Sequence, residues 1–391
     1  MGPLCRRTRR RLLGIRAATH RAPFFSFSQH APEFVINSKR KALVALGCTA
    51  LIASATVACN PLGDDSASPA IKVKNAFAKL GEQHALSANL HLDASADQIY
   101  TAMRGKKDFE RADADMLAGL TLTYGVSTDR ALKDIEGQDD DSLRASVALT
   151  KAGQNPMLEA RTAGKNLYAR VDVKGLSDLA RQSGNGDSDM VFLDQMVRRA
   201  DELPPSMGAV KAALKGQWIS IDPDSFPDDD TPSAKLDAKD QKKALDAISN
   251  AVTSNAKFKD AGTSGGAEHV KITLPAKKTA KDIATGLKPL ADQLGERLTN
   301  MSRNVKDVPD RNITVDVAIR DGIVSGITLD LAELDDKIKG TLPLAIDING
   351  HAGKVEIPAD AKPITPADIM AAAMATYGDQ APVTSSTRTQ A

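Results

Sequence analysis

Cysteine, tryptophan and aromatic residues are all scarce: 391 residues carry three Cys, one Trp and 4% aromatics. Cys5 and Cys48 lie within the first 58 residues and Cys59 stands alone after them. The long remainder therefore has no pair of thiols for an internal disulfide and depends on an apolar core. So few aromatic rings argue against a groove that stacks sugars, but aliphatic linings stay open. Beyond residue 58 the histidines are His84, His91, His269 and His351, too dispersed for metal-ligand spacing, so no metal or other cofactor is expected. The runs Asp139-Asp140-Asp141 and Asp228-Asp229-Asp230 lack the spaced oxygens and glycine of a calcium loop and read as solvated loops.

Catalytic patterns are missing too. There is no His-Glu-x-x-His and no phosphate loop. Ser254-Asn-Ala-Lys257 and Ser183-Gly-Asn185 have the spacings of penicillin-binding enzymes, but in the wrong order, and Lys278-Thr279-Ala280 stands where Lys-Thr-Gly is required. The chain reads as a non-enzyme.

What is present begins with charge asymmetry. Residues 1–58 hold ten Lys/Arg and one acidic residue, leaving 41 bases and 49 acids in the rest, a net of −8. A nucleic-acid partner is excluded on that ground, because phosphate binding needs a basic face. Lys39-Arg40-Lys41 precedes the uncharged run Ala42–Ala58, which ends Thr56-Val57-Ala58-Cys59. Basic residues, a short apolar segment and small residues before a cysteine form the pattern of a bacterial lipoprotein signal. The expectation is cleavage before Cys59, acylation of its thiol, and a protein held on the extracytoplasmic face of the cell membrane; the alternative is an uncleaved membrane anchor. Arg6-Arg7-Thr8-Arg9-Arg10-Arg11 resembles a twin-arginine signal, but Arg16 and Arg21 interrupt its apolar run. The expected division is a basic prefix over 1–34 with translation starting near Val35, a signal over 35–58, a flexible tether over 59–70, a folded domain over 71–364 with an acidic linker near 222–233, and a short helix with a disordered tail over 365–391.

Within that domain Ile71–Leu80 reads as an amphipathic helix, and alternation then predicts strands. Leu86, Ala88, Leu90 and Leu92 share one face, with Ser87, Asn89 and His91 on the other. Leu120–Val126, Leu143–Leu149, Met157–Thr162 and Asn166–Val173 continue the pattern, the last two joined by Ala163-Gly164-Lys165. Helices are predicted over Leu176–Arg181, Met190–Ala200, Ser206–Lys215, Ala234–Ser254 and, as one long element, Thr279–Arg303. Further strands are expected at Gln217–Asp222, His269–Leu274, Ile313–Ile319, Ile327–Leu331, Leu342–Ile348 and Val355–Ile357. Strands with one apolar face imply an α+β fold, a strongly curved antiparallel sheet covered by helices.

Cys59, the hairpin Gly164–Asp172, Gly216-Gln-Trp-Ile-Ser-Ile-Asp222, Gly266–Thr273 and the closing meander from Asp321-Gly322 to Pro358 occur in an order that resembles the actinobacterial LppX/LprAFG lipoproteins, which share the half-barrel of the lipoprotein carrier LolA. The resemblance spans about Lys72 to Ile364; this chain departs from it by the acidic linker and the helix near Asp237–Ser254. It implies a cavity between sheet and helices that holds an acylated lipid or glycolipid. The expected cavity lining is Leu90, Leu92, Leu120, Leu122, Val147 and Leu149. The other reading is a structural or interaction lipoprotein whose apolar face is fully packed.

Overall fold

The structure is a computed structural model that describes residues 68–378 except 108, 136–139, 183–193 and 227–237. Cys59, the prefix, the signal, most of the tether, much of the acidic linker and the end of the tail lie outside the described residues. Twelve strands form one open sheet, ordered β12-β6-β5-β4-β3-β2-β1-β11-β10-β9-β8-β7. The order resolves into two meanders. The first runs through β1 (Ala85–Leu92), β2 (Leu120–Ser127), β3 (Arg144–Lys151), β4 (Leu158–Ala163), β5 (Asn166–Val171) and β6 (Ile219–Ile221). The second runs through β7 (Lys257–Ser264), β8 (Ala267–Pro275), β9 (Asn312–Arg320), β10 (Ile323–Asp330) and β11 (Pro343–Asn349). Antiparallel pairing of β1 with β11 fuses them at the centre, Leu90 opposite Ile346. All pairs are antiparallel except the outermost, where β12 (Lys362–Ile364) lies parallel to β6.

Local chemistry explains the elements. In α1 (Pro69–Gly81), Pro69 supplies a preset φ and Val73, Ala76 and Leu80 fall on one buried stripe. The two-residue turn Asp321-Gly322 has positive φ at both positions, 54° and 73°, the backbone that matches strand twist in a tight hairpin. Parity then gathers most of the large aliphatic side chains of a strand on one face.

Helices cover that apolar face at its two ends. At one end α1 packs over Leu86, Ala88, Val126, Val270, Val317, Val324 and Ile348, with Leu132, Ile135 and Leu143 of the β2–β3 connection beside it. At the other end α2 (Ala96–Met103) and α3 (Arg111–Leu117) bury Ile99, Ala102 and Ala114 against Leu342, Leu92 and Leu331. After β5 come α4 (Val173–Gln182) and α5 (Gly208–Leu214); α6 (Ala238–Asn255) precedes β7, and α7 (Ala276–Gly286) follows β8.

Several expectations are corrected. α2 and α3 occupy a stretch given no structure from the sequence, so β1 and β2 are not joined by a simple hairpin. β7 was also not expected: it is an edge strand, exposed at nearly every position, and solvent on both faces removes the need for alternation. The long helix over 279–303 is broken into α7, α8 (Ala291–Leu294) and α9 (Glu296–Asn304). Pro289 has no N–H to continue a helix and Gly295 takes φ 52° between the last two pieces. Residues 352–358 form no strand.

They form a strap instead. Lys354 Nζ reaches Asp129 Oδ1 at 2.8 Å, the Val355 N–H donates to Ser127 Oγ at 2.9 Å, and Arg161 Nη1 donates to the Glu356 carbonyl at 2.5 Å. Strands lie about 4.8 Å apart, so the path from β11 to β12 crosses roughly 34 Å of flat sheet, within the ~43 Å that the chain from Asn349 to Lys362 covers when extended. The strap thus carries the chain over the polar face of β2–β5 and delivers β12 to the far edge, where the Lys362 N–H donates to the Trp218 carbonyl at 2.9 Å. From there α10 (Pro366–Gly378) turns onto the apolar side, against α5.

The Lys354 hydrogen bond is the main cause holding the Asp129 carboxyl below its ordinary value of 3.8. A depressed folded-state pKa means that the anchor contributes fully above the ordinary value and is lost as pH falls through the lower one. Amide exchange over 351–358, corrected for intrinsic rates, should quicken below about pH 4 in the parent. In Lys354→Met it should already be fast and show no such step. Equal pH profiles in the two proteins would remove this anchor's role.

Candidate functional site

Register places a line of aliphatic side chains across the middle of the sheet. Leu90 stands opposite Leu122, Leu122 opposite Leu149 and Leu149 opposite Leu158; in the other direction Leu90 faces Ile346, and Ile346 faces Ile327. A parallel line runs from Ala88 through Tyr124, Val147, Ala160 and Ala169 to Ile219. Of these, Leu90, Leu122, Leu149, Leu158, Val147, Ile327 and Ile346 are only half-buried. Leu90, Leu122, Val147 and Leu149 lie between the end covered by α1 and the end covered by α2 and α3, Leu158 opens β4, and Ile327 and Ile346 pack against the cluster under α1. The arrangement is an apolar trough crossing several strands.

All six expected lining residues share this face, but not one role. Leu90, Leu122, Val147 and Leu149 lie in the trough. Leu92 belongs to the cluster packed by α2 and α3, because those two helices cover its end of β1. Leu120 begins β2, three residues after α3 ends, and is half-buried there. None of the six lines the cavity described next.

That cavity, ≈ 310 Å³ and partly open to solvent, lies at the β6–β12 edge. Its floor is Ala169, Val171 and Ile219, and α5 and α10 contribute Ala213 and Ile369. Strand parity does not reveal it, since β6 and β12 have three residues each. The apolar spacing Val210, Ala213, Leu214 within the expected helix Ser206–Lys215 was the available signal.

The opposite face is polar and densely bonded. Thr123 Oγ1 donates to Asn89 Oδ1 at 2.8 Å, and His269 Nδ1 lies 2.7 Å from Asp316 Oδ1. Under the strap, the Glu159 side chain is only 7% exposed and accepts from Arg161 Nε and Arg170 Nε, each at 2.9 Å, with a further bond from the second nitrogen of each fork. Both guanidiniums lie over the Trp218 ring, 4.7 and 5.0 Å from its centroid. Both Glu159 oxygens are held by guanidinium nitrogens, so the cluster reads as a clamp. Among the described residues no group of His, Cys, Asp and Glu could hold a metal ion, and no helix is long and apolar enough to cross a membrane.

The fold and face together define an α+β protein with a large open sheet and one incompletely covered apolar side. No family model, curated protein or solved structure matches the chain.

Proposed function

We propose that this chain is a lipoprotein, anchored through acylated Cys59 on the extracytoplasmic face of a membrane, that binds and carries an acylated lipid or glycolipid along its apolar trough. In this reading it is a non-enzymatic carrier of the LppX/LprAFG kind, its sheet curved in the LolA half-barrel manner. The observation that carries the proposal is the half-buried line Leu158, Leu149, Leu122 and Leu90, which Ile346 and Ile327 continue to the cluster under α1. Contiguous apolar surface of this kind is rarely left without an occupant in a folded protein, and an aliphatic trough with few aromatic rings suits acyl chains.

Two substitutions test it. Cys59→Ala should leave the precursor uncleaved or release the protein from membranes, because each buried methylene of an acyl anchor contributes about 0.8 kcal/mol; unchanged mass and membrane fractionation would end the lipoprotein reading. Leu122→Trp should preserve the melting temperature yet abolish the lipid that co-purifies with the parent in native mass spectrometry. If the trough is ordinary core, the larger ring strains it by about 1–3 kcal/mol. A large fall in melting temperature, with no lipid in the parent, would then favour a structural lipoprotein.

A further inference from the structure

The apolar line through Val147 and Ala160 continues along β5 and β6 as Ala169 and Ile219, and these two residues form part of the cavity floor at the sheet edge. Trough and cavity therefore lie on one face and share a row. Apart from Arg170 and Gln217, every side chain around the cavity is aliphatic, and the Arg170 guanidinium is held by Glu159 on the other side of the sheet. Neither a ring nor a charged group finds a partner inside. Alanines on three walls, Ala169, Ala213 and Ala372, leave the space open, and Ile364 of β12 lines it at the sheet edge. Ile369 lines the cavity and is 47% exposed, so the mouth lies at the first turn of α10. That turn is held in place: Asp368 accepts from the Thr365 N–H at 2.8 Å and the Thr365 hydroxyl at 2.6 Å.

We propose that this cavity measures chain length: it takes the end of one unbranched alkyl chain whose remainder lies in the trough, and the wall formed by Ile364, Ile369 and Ala372 limits how many carbons fit. The inference rests on the carrier reading above and adds to it the class of chain and the element that selects it. A methylene group occupies roughly the volume of a water molecule, ~30 Å³, so ≈ 310 Å³ accommodates about ten of them. The C-terminal arm supplies the far wall through Ile364, Ile369 and Ala372, which makes the end of the chain, joined to the sheet by only three residues of β12, the determinant of that limit.

The experiment uses the full chain, with cis-parinaric acid as the fluorescent probe displaced by saturated fatty acids of eight to eighteen carbons. In the parent, affinity should rise about fourfold per added methylene, the equivalent of ~0.8 kcal/mol, and then level off. Ala213→Phe should move the plateau to acids about three or four carbons shorter while the melting temperature holds or rises, because the ring fills empty space. Ala372→Leu should move it less and in the same direction, and it serves if the phenylalanine variant fails to fold. Leu122→Trp should weaken every chain length without moving the plateau. A plateau unmoved by Ala213→Phe and Ala372→Leu, with binding still lost in Leu122→Trp, overturns the measuring cavity and leaves the carrier reading standing. No displaceable probe in the parent removes both.

Discussion

Glu159→Ala should lower stability by about 3 kcal/mol, at the lower end of the cost of breaking a buried ion pair. The carboxylate is 7% exposed and holds two guanidiniums, while Arg161 and Arg170 keep 23% and 35% of their side chains in contact with solvent. Removing the anion leaves two cations close together over Trp218, but solvent relieves part of their repulsion. Arg161 also holds the strap through the Glu356 carbonyl, so the loss spreads to the C-terminal arm. The melting temperature should fall by roughly 6 °C or more, and the emission of the single tryptophan should change as the guanidiniums leave its ring. Glu159→Gln, which retains an acceptor and the side-chain volume, should cost less. Alanine and glutamine variants that both melt with the parent would show the clamp to be dispensable.

Val317→Asp should prevent folding altogether. Val317 is 2% exposed, on the apolar face of β9 between Ile327 and Val270. The cluster around it is hydrophobic, and an unpaired buried carboxylate costs several kcal/mol at the least. Thr121→Asp is the control. Thr121 lies on the polar face of β2 between His91 and Thr150, where a carboxylate meets solvent and an imidazole. Far-UV circular dichroism should show a disordered chain for the first and a native spectrum for the second; like behaviour of both would mean that the two faces have been interchanged.

Much of the sheet was legible because burial on one face forces alternation. β9 and β11 carry Ile, Val or Leu at every second position, β1 and β2 do so with Ala88 and Tyr124 in the series, and the shared face of Leu90, Leu122, Val147 and Leu149 followed from that alternation. The elements that escaped lack that constraint. β7, Lys-Phe-Lys-Asp-Ala-Gly-Thr-Ser, is an outer strand with polar side chains on both faces. Residues 352–358 carry Val355 and Ile357 with strand-like spacing, yet Val355 is buried against the polar side of β2, with Cγ2 3.5 Å from where a Cβ on Gly125 would lie. Periodicity reports that a side chain is covered, but not by what. α2 did leave a signal: Ser95 and Gln98 form a capping box at its start, a pattern that marks a helix N-terminus without reference to hydrophobicity. The cavity depended on β12 returning to β6, a non-local parallel pairing that no window of sequence encodes.

The join between the two meanders fixes the timing of assembly. Each meander pairs strands that follow one another along the chain, so each can form from local contacts as it is synthesised. The seam pairs Ser87 with Asn349, and closing so long a loop, roughly 260 residues, is the slow kind of step that high contact order imposes. Until β11 emerges, one side of β1 has no partner, and the trough that runs from Leu90 to Ile346 is divided between two half-sheets. Ordering of the seam, followed by pulse-labelled hydrogen exchange, should therefore be the last event in refolding, and the continuous apolar surface comes into existence only at that moment.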